Sequence, residues 1–357
     1  MEIKIIKTKE FKEKPQDESK LGFGKVFSDH MFIIEYDEGT GWRDARIQPV
    51  ENLSLHPASS VFHYGQEIFE GAKAYRRQDG EIQVFRLMDN CKRLVNSAVR
   101  SSMPELDAEF QYEAILQLIN LDRDWVPQSE GTSLYLRPTM ISSTPALGAH
   151  SAHNFIYYVL SSPSGSYYPN GMQPVRIRIE AFYARSVKGG MGRAKAGGNY
   201  AASFKATKEA HDAGFDQVLW LDGVHKKYVQ EVGAMNIMFV IDGVIVTPDL
   251  SDTILPGITR DSVLQLAADF GYKIEERPIS VDEIFEAYSS GRLSESFGTG
   301  TAAVISPVGE FSYRDETIIL NNNKIGPVAQ RFYDLLTGIQ LGTAEDKFGW
   351  TKLVPRS

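Results

Sequence analysis

The sequence predicts a two-domain protein of mixed strands and helices, and three observations carry that prediction. A chain of 357 residues suits two domains, each large enough to bury a core. Period-two runs such as Val175-Arg176-Ile177-Arg178-Ile179 share the chain with amphipathic helical runs such as Asp107 to Leu121. Between them, Ser161 to Pro174 is rich in Ser, Gly, Pro and Tyr, as a connector would be. The boundaries are drawn at 1–163 for a small N-terminal domain, 164–174 for the linker and 175–352 for a larger domain.

Composition removes several function classes. Apolar content of 42% and charged content of 24% are ordinary for a soluble globular chain. A net charge of -8 argues against nucleic-acid binding, which calls for a basic patch or stripe. Cys91 is the single cysteine, so no internal disulfide forms, and a reducing cytoplasm fits. Met1 to Lys14 is too charged for a signal peptide, and no apolar run is long enough to span a bilayer. No metal site is expected. The tail 353–357, Leu-Val-Pro-Arg-Ser, reads as the remnant of a cleavable tag and is left out of the fold reasoning.

In the first domain, Lys4 to Lys20 is charged and aperiodic and reads as a loosely held arm. Phe32 to Tyr36 is β-rich, closed by turn residues Asp37 to Gly41, with Arg46-Ile47-Gln48 as the returning strand of a hairpin. His30, just before it, reads as a structural, hydrogen-bonding histidine. In His63 to Tyr75, three aromatics surround a polar centre, and Glu67, Glu70 and Lys73 have the spacing of a solvated helical charge set. Asp89 to Ser101 is helical, with Leu94 and Ala98 on its buried side and Arg93 beside it. An arginine there needs an anionic partner. Ser133 to Pro138 is a short strand on which Tyr135 and Arg137 point the same way; an edge strand ended by Pro138 would serve as well. Phe155 to Leu160 is a continuous apolar run, read as a buried strand. Tyr167 lies in the connector, where loops often cover a site.

In the second domain, Arg185 leads into a glycine loop, Gly189 to Gly192. No full dinucleotide fingerprint or Walker pattern follows a strand, so an NAD-dependent oxidoreductase is disfavoured. Ala194-Lys195-Ala196-Gly197-Gly198-Asn199-Tyr200 comes next, then a helix from Ala201 to Ala213 closed by Gly214. Small uncharged neighbours leave Lys195 open to close approach by a flat partner and favour its neutral amine. A neutral lysine amine is the nucleophile that condenses with an aldehyde cofactor as a Schiff base. Gln217 to Gly223 is a strand into an Asp-Gly turn, and Glu231-Val232-Gly233-Ala234-Met235-Asn236 follows on the returning strand. Leu255 to Asp261 opens a helix ending at Gly271, with Thr259 as a candidate N-cap. Phe297 to Ala302 is a tight glycine turn whose N-H groups suit an anion. Gly326 to Gly338 is the last helix.

These motifs together resemble the branched-chain aminotransferases, the fold type IV group that uses pyridoxal 5'-phosphate. The resemblance runs from Phe27 to Trp350. It implies a small α/β domain followed by a larger one with a β-barrel-like core. It implies that Lys195 carries the cofactor and is the catalytic residue. Tyr200 would bond the ring's phenolate oxygen and Glu231 the ring nitrogen, with Arg93, Ile258, Thr259 and Thr301 on the phosphate. Phe27, Tyr64, Phe69, Tyr135, Arg137 and Ala302 would meet the substrate. The implied reaction is ping-pong transfer of the amino group of L-leucine, L-isoleucine or L-valine to 2-oxoglutarate. The implied assembly is a homodimer, with the loop Pro145 to His150 reaching toward the partner. Two alternatives stay open: a D-amino-acid or amine transaminase or an aminodeoxychorismate lyase of the same fold, and a non-catalytic binder of the cofactor.

Overall fold

The structure, a computed structural model, describes residues 1–168 and 171–356. Pro169 and Asn170, inside the expected linker, and Ser357, at the end of the expected tag remnant, lie outside the described residues. Contacts divide the chain into two compact units. One comprises Met1–Pro169, Ala194–Gly197 and Gly338–Ser357, and the other Asn170–Arg193 and Gly198–Thr337. The boundary near 164–174 therefore holds only as a first cut, because two later segments join the first unit.

Among the described residues, the first unit is built on a nine-stranded sheet. Its order is Lys4–Ile5, Gly41–Pro49, His30–Asp37, Asn154–Ser164, Ser133–Ser142, Ala72–Arg76, Ile82–Phe85 and Thr351–Leu353, with Glu67–Phe69 also paired to Ser133–Ser142. The expected hairpin is present, with a longer return strand. The expected strand at Ser133 runs on to Ser142, past Pro138 and in mid-sheet. Proline is tolerated because Glu67–Phe69 and Ala72–Arg76 meet this strand on either side of it. At that break the Pro138 carbonyl accepts from the Glu70 N-H (2.8 Å), and no ladder bond needs a proline donor. Over residues 154–160, strand Asn154–Ser164 alternates between buried and half-buried positions, and residues 161–164 are all buried, so the expected continuous burial over Phe155 to Leu160 is corrected. One face of this strand belongs to the core and the other does not.

The N-terminal arm is not loose. Lys4–Ile5 pairs with Gly41–Pro49, and the Thr8 N-H donates to His30 Nε2 (2.9 Å). His30 Nδ1 meets Asp122 Oδ1 at 2.6 Å, with both side chains buried. Asp29 accepts from the Lys12 N-H (2.9 Å) and from Trp125 Nε1 (2.7 Å). The tail, set aside in the sequence reading, also packs on the first unit. Thr351–Leu353 extends the sheet, Val354 is 1% exposed, and its N-H donates to the Ile82 carbonyl (2.8 Å). An unpaired edge at Ile82–Phe85 is covered by this segment, so it is part of the fold.

Helices Leu87–Arg100 and Ala108–Leu121 also lie in the first unit. The second begins where the Asp107 carboxylate accepts from the Phe110 N-H (2.8 Å), a side-chain N-cap.

The second unit holds another nine-stranded sheet among the described residues. The order is Val229–Val232, Gln217–Leu221, Val175–Ile179, Val304–Tyr313, Leu293–Gly300, Asn236–Ile241, Val244–Thr247 and Ile274–Glu276, with Glu316–Ile319 on Val304–Tyr313. Leu219 and Val232 from one end of that order share a single buried cluster with Phe239 and Val246 from the other. A sheet whose distant strands pack on one core must curl, which gives the barrel-like core. Two sequence expectations shift here. The helix expected from Ala201 is divided into Gly197–Ala201 and Phe204–Asp212. Phe297 to Gly300, expected as a turn, completes strand Leu293–Gly300, and the turn is 301–303. The last helix is Pro327–Leu341, longer than expected by three residues at its end.

Candidate active site

In the first unit, Lys195 is fixed through its backbone. Its N-H donates to Ser97 Oγ (3.0 Å) on helix Leu87–Arg100. Its carbonyl accepts from the Phe69 N-H (3.0 Å), and Ala196 bridges Ile68. The side chain then lies over the Phe69 ring, with Nζ 4.9 Å from its centroid. Both peptide groups of Lys195 are thus held, which fixes the point from which its side chain leaves the backbone.

Beside it is a buried acid-base pair. Glu70 is 1% exposed and Arg93 7%. Arg93 Nε donates to Glu70 Oε1 (2.7 Å) and Nη2 to Oε2 (2.9 Å), while Asn90 Nδ2 also reaches Oε2 (2.8 Å). Burial alone would raise the Glu70 pKa, but the charges of Arg93 and Lys195 and the bonds from Arg93 and Asn90 hold it below its usual value. The solvated helical charge set expected at Glu67, Glu70 and Lys73 is thus corrected. The segment is two short strands, Glu67–Phe69 and Ala72–Arg76, and Glu70 is the partner that Arg93 needed. Lys73 is pushed down to about 8 by burial.

Tyr135 and Arg137 share one face of strand Ser133–Ser142, and Arg137 Nη2 donates to Tyr135 Oη (3.0 Å). The guanidinium sits 4.7 Å from the Phe69 centroid. Its Nε is buried with no hydrogen-bond partner among the described residues. A cation with aromatic and hydroxyl neighbours and an unsatisfied donor is a receptor for an anionic group. Tyr64 ends the short helix Ser60–Tyr64, and its hydroxyl donates to the Leu147 carbonyl. Phe27 is 41% exposed and Tyr167 47%. The aromatic that packs on Tyr135 is Phe23, edge-on at 4.7 Å, which the sequence reading passed over. Its setting between two glycines, Gly22 and Gly24, was the available signal for a close approach.

In the second unit, Glu231 is 2% exposed. Arg185 Nε is 2.8 Å from Glu231 Oε2, and the Leu255 N-H donates to Oε1 (2.8 Å). Asn236 Nδ2 donates to the Leu255 carbonyl (2.9 Å). Helix Ile258–Asp269 starts three residues later. Its N-cap is Gly257 in an extended conformation, with no side-chain cap. Thr259 is the second helical residue and is buried, so the N-cap role is not its own. Thr301 and Ala302 occupy the turn after Leu293–Gly300, and Tyr200 sits half-buried in Gly197–Ala201. Thr299 Oγ1 is buried without a partner among the described residues. Thus Lys195, Arg93, Phe69, Tyr135 and Arg137 gather in one unit, and Glu231, Ile258, Thr259, Thr301 and Ala302 belong to the other. No group of three or more potential metal ligands is found among the described residues.

Comparison with known proteins gives a consistent result. The model of the family described as amino-transferase class IV matches residues 67–311. The chain is 49% identical over 355 residues to a probable branched-chain-amino-acid aminotransferase of Staphylococcus aureus, covering 99% of each chain. It is 50% identical over 349 residues to branched-chain-amino-acid aminotransferase 2 of Bacillus subtilis, covering 98% of this chain and 96% of the other. Among solved structures it resembles the branched-chain aminotransferase of the archaeon Thermoproteus uzoniensis with norvaline, with a TM-score of 0.74 and 27% identity over 91% of this chain and 100% of that one. The branched-chain aminotransferase of Escherichia coli superposes with a TM-score of 0.71 at 26% identity, over 91% of this chain and 99% of that one. The curled sheet of the second unit and the mixed α/β organisation are those of the fold type IV enzymes. With two thirds of its length under one family model and near-complete relatives at half identity, the chain belongs to the amino-transferase class IV family.

Proposed function

We propose that this protein is a pyridoxal-phosphate-dependent branched-chain aminotransferase, moving the amino group of L-leucine, L-isoleucine or L-valine to 2-oxoglutarate. The observation that carries the reading is the fixing of Lys195 by Ser97 and Phe69 beside the buried Glu70–Arg93 pair. The relatives' names supply the substrate class.

The residues present fit the cofactor. An uncapped helix start at Gly257 suits a phosphate, and a buried carboxylate, Glu231, suits a protonated ring nitrogen. Ile258, Thr259, Thr301 and Arg93 would hold the phosphate, and Tyr200 the phenolate oxygen. When bound, the cofactor supplies an aldehyde carbon and a ring that withdraws electrons. Lys195 Nζ would carry the proton between the substrate Cα and the cofactor's C4′ carbon, in one direction for the amino donor and in the other for the 2-oxo acid. Tyr64, Phe69 and Phe27 accept the apolar side chain, Tyr135 and Arg137 the carboxylate of the acidic partner substrate, and the turn at Ala302 the α-carboxylate. A cytoplasmic homodimer, with the loop from Pro145 to His150 serving the partner, completes the reading.

The test is borohydride reduction in the presence of pyridoxal phosphate, followed by peptide mapping. A pyridoxyl label on Lys195, and an absorbance change with L-leucine that 2-oxoglutarate reverses, are the expected results. A label on another side chain ends the reading. D-alanine driving the change in place of L-leucine shifts it to D-amino-acid transamination.

A further inference from the structure

Glu67 has no part in the reading above, yet it borders the first unit's cluster. It opens strand Glu67–Phe69, in register with Ile141, while Phe69 is in register with Thr139 and Lys73 with Tyr135. Side chains alternate along a strand, so Glu67, Phe69, Lys73, Tyr135 and Arg137 share one sheet face. The carboxylate is half-buried and has no hydrogen-bond or ion-pair partner among the described residues. Its Oε2 lies so near Gly197 that a Cβ there would overlap it. Glu67 is therefore walled against the segment that carries Lys195. Burial pushes its pKa up, and the Arg137 charge pulls it back. Tyr158 feels the same two charges in opposite senses. Glu67 and Arg137 thus interact through space without touching.

We propose that Glu67 sets specificity: its carboxylate offsets the Arg137 charge without pairing with it, and so loosens the seat for a dicarboxylate 2-oxo acid while leaving apolar side chains unaffected. The proposal rests on the aminotransferase reading and on Arg137 receiving the acidic substrate. A facing acid that stayed in contact would block that seat, whereas one held at a distance lowers affinity and lets the dicarboxylate leave.

The test compares kcat/KM of the holoenzyme for 2-oxoglutarate and for L-leucine in Glu67→Gln, Glu67→Ala and Arg137→Gln. Both Glu67 variants should raise the 2-oxoglutarate value by about 3- to 10-fold and move the L-leucine value less than about twofold. A Glu67→Gln enzyme that leaves 2-oxoglutarate unchanged, or shifts both substrates equally, overturns the proposal. Arg137→Gln should lower the 2-oxoglutarate value at least about tenfold. If it does not, the assignment of Arg137 as the anion seat fails, and the role of Glu67 fails with it.

Discussion

Removing the Glu70 carboxylate should destabilise the first unit more than any surface change. Glu70 is 1% exposed and takes two bonds from Arg93, one from Asn90 and one from the Gly71 N-H (3.1 Å). Glu70→Ala takes from the buried Arg93 the carboxylate that meets both its Nε and Nη2, a loss of about 3–5 kcal/mol. Glu70→Gln keeps the shape but loses the charge on its bonds, about 2–3 kcal/mol. Urea unfolding followed by tryptophan fluorescence suits the test, because Trp42, Trp125 and Trp350 lie in the first unit and Trp220 alone in the second. With a slope of about 3 kcal/mol/M, the first unit's midpoint should fall by about 1 M or more in Glu70→Ala. The pH dependence has a definite sign. The folded pKa lies below the unfolded one, so this stabilisation is complete above the usual carboxylate value, 4.5, and fades as pH falls through the folded value. Glu70→Gln should therefore flatten the acid limb of the stability curve. A shift under about 1 kcal/mol for Glu70→Ala refutes the argument. So does a Glu70→Leu/Arg93→Leu double variant no more stable than Glu70→Leu, because removing both charges should recover much of the loss.

Lys73, lowered to about 8 by burial, gives a pH trend of the same sign in a higher window, through relief of a cost rather than gain of a bond. Below pH 8 it is charged folded and unfolded, and the burial cost is complete; between about 8 and 10.5 the folded state sheds the proton first, so stability rises with pH. Melting temperatures of wild type and Lys73→Met should converge as pH rises across that window, and parallel curves refute the point. Gly71→Ala places a Cβ 3.0 Å from Tyr135 Cζ and closer still to its hydroxyl. It should push Tyr135 off Arg137 at a cost of about 1–3 kcal/mol, read as a kcat/KM loss for the acidic substrate of about tenfold or more. Truncation after Trp350 uncovers the Ile82–Phe85 edge and removes the buried Val354. A stability loss of about 2–4 kcal/mol follows from that burial and the lost sheet bonds; an unchanged urea midpoint would show the tail to be dispensable.

What the sequence made legible was local. The alternation in Val175–Ile179 gave a strand with those bounds, and Asp107 gave a helix start. The small residues around Lys195 marked the segment that the structure pins at Ser97 and Phe69. What it hid was pairing at long range. Arg93 announced the need for an anion, but Glu70 lies 23 residues away and carried the spacing of a surface charge set. Pro138 looked like a strand end because proline lacks a donor; only the break between two facing strands makes it harmless. The tail Leu353-Val354-Pro355-Arg356 matched a tag by composition. Its burial depends on an edge formed by residues some 270 positions earlier.

The motif Glu231-x-Gly233-x-x-Asn236, proposed above to meet the cofactor, is in the structure a folding motif. Glu231 accepts the Leu255 N-H, and Asn236 donates to the Leu255 carbonyl. The two side chains thus clasp one residue through both its backbone groups. Gly233 makes the spacing possible. At φ +55° it turns the chain, and a Cβ there would run into the Gln217 side chain. Val232 and Met235 then bond back to one another across the turn. Clasping Leu255 fixes where the chain leaves for Gly257, and so where the uncapped start of Ile258–Asp269 is presented. Asn236 closes the same junction sterically, because a Cβ on Gly257 would strike its Oδ1. One carboxylate, Glu231, therefore does two jobs at once. One oxygen holds the helix start in place, and the other faces Arg185, which supplies the positive charge that a buried acid requires.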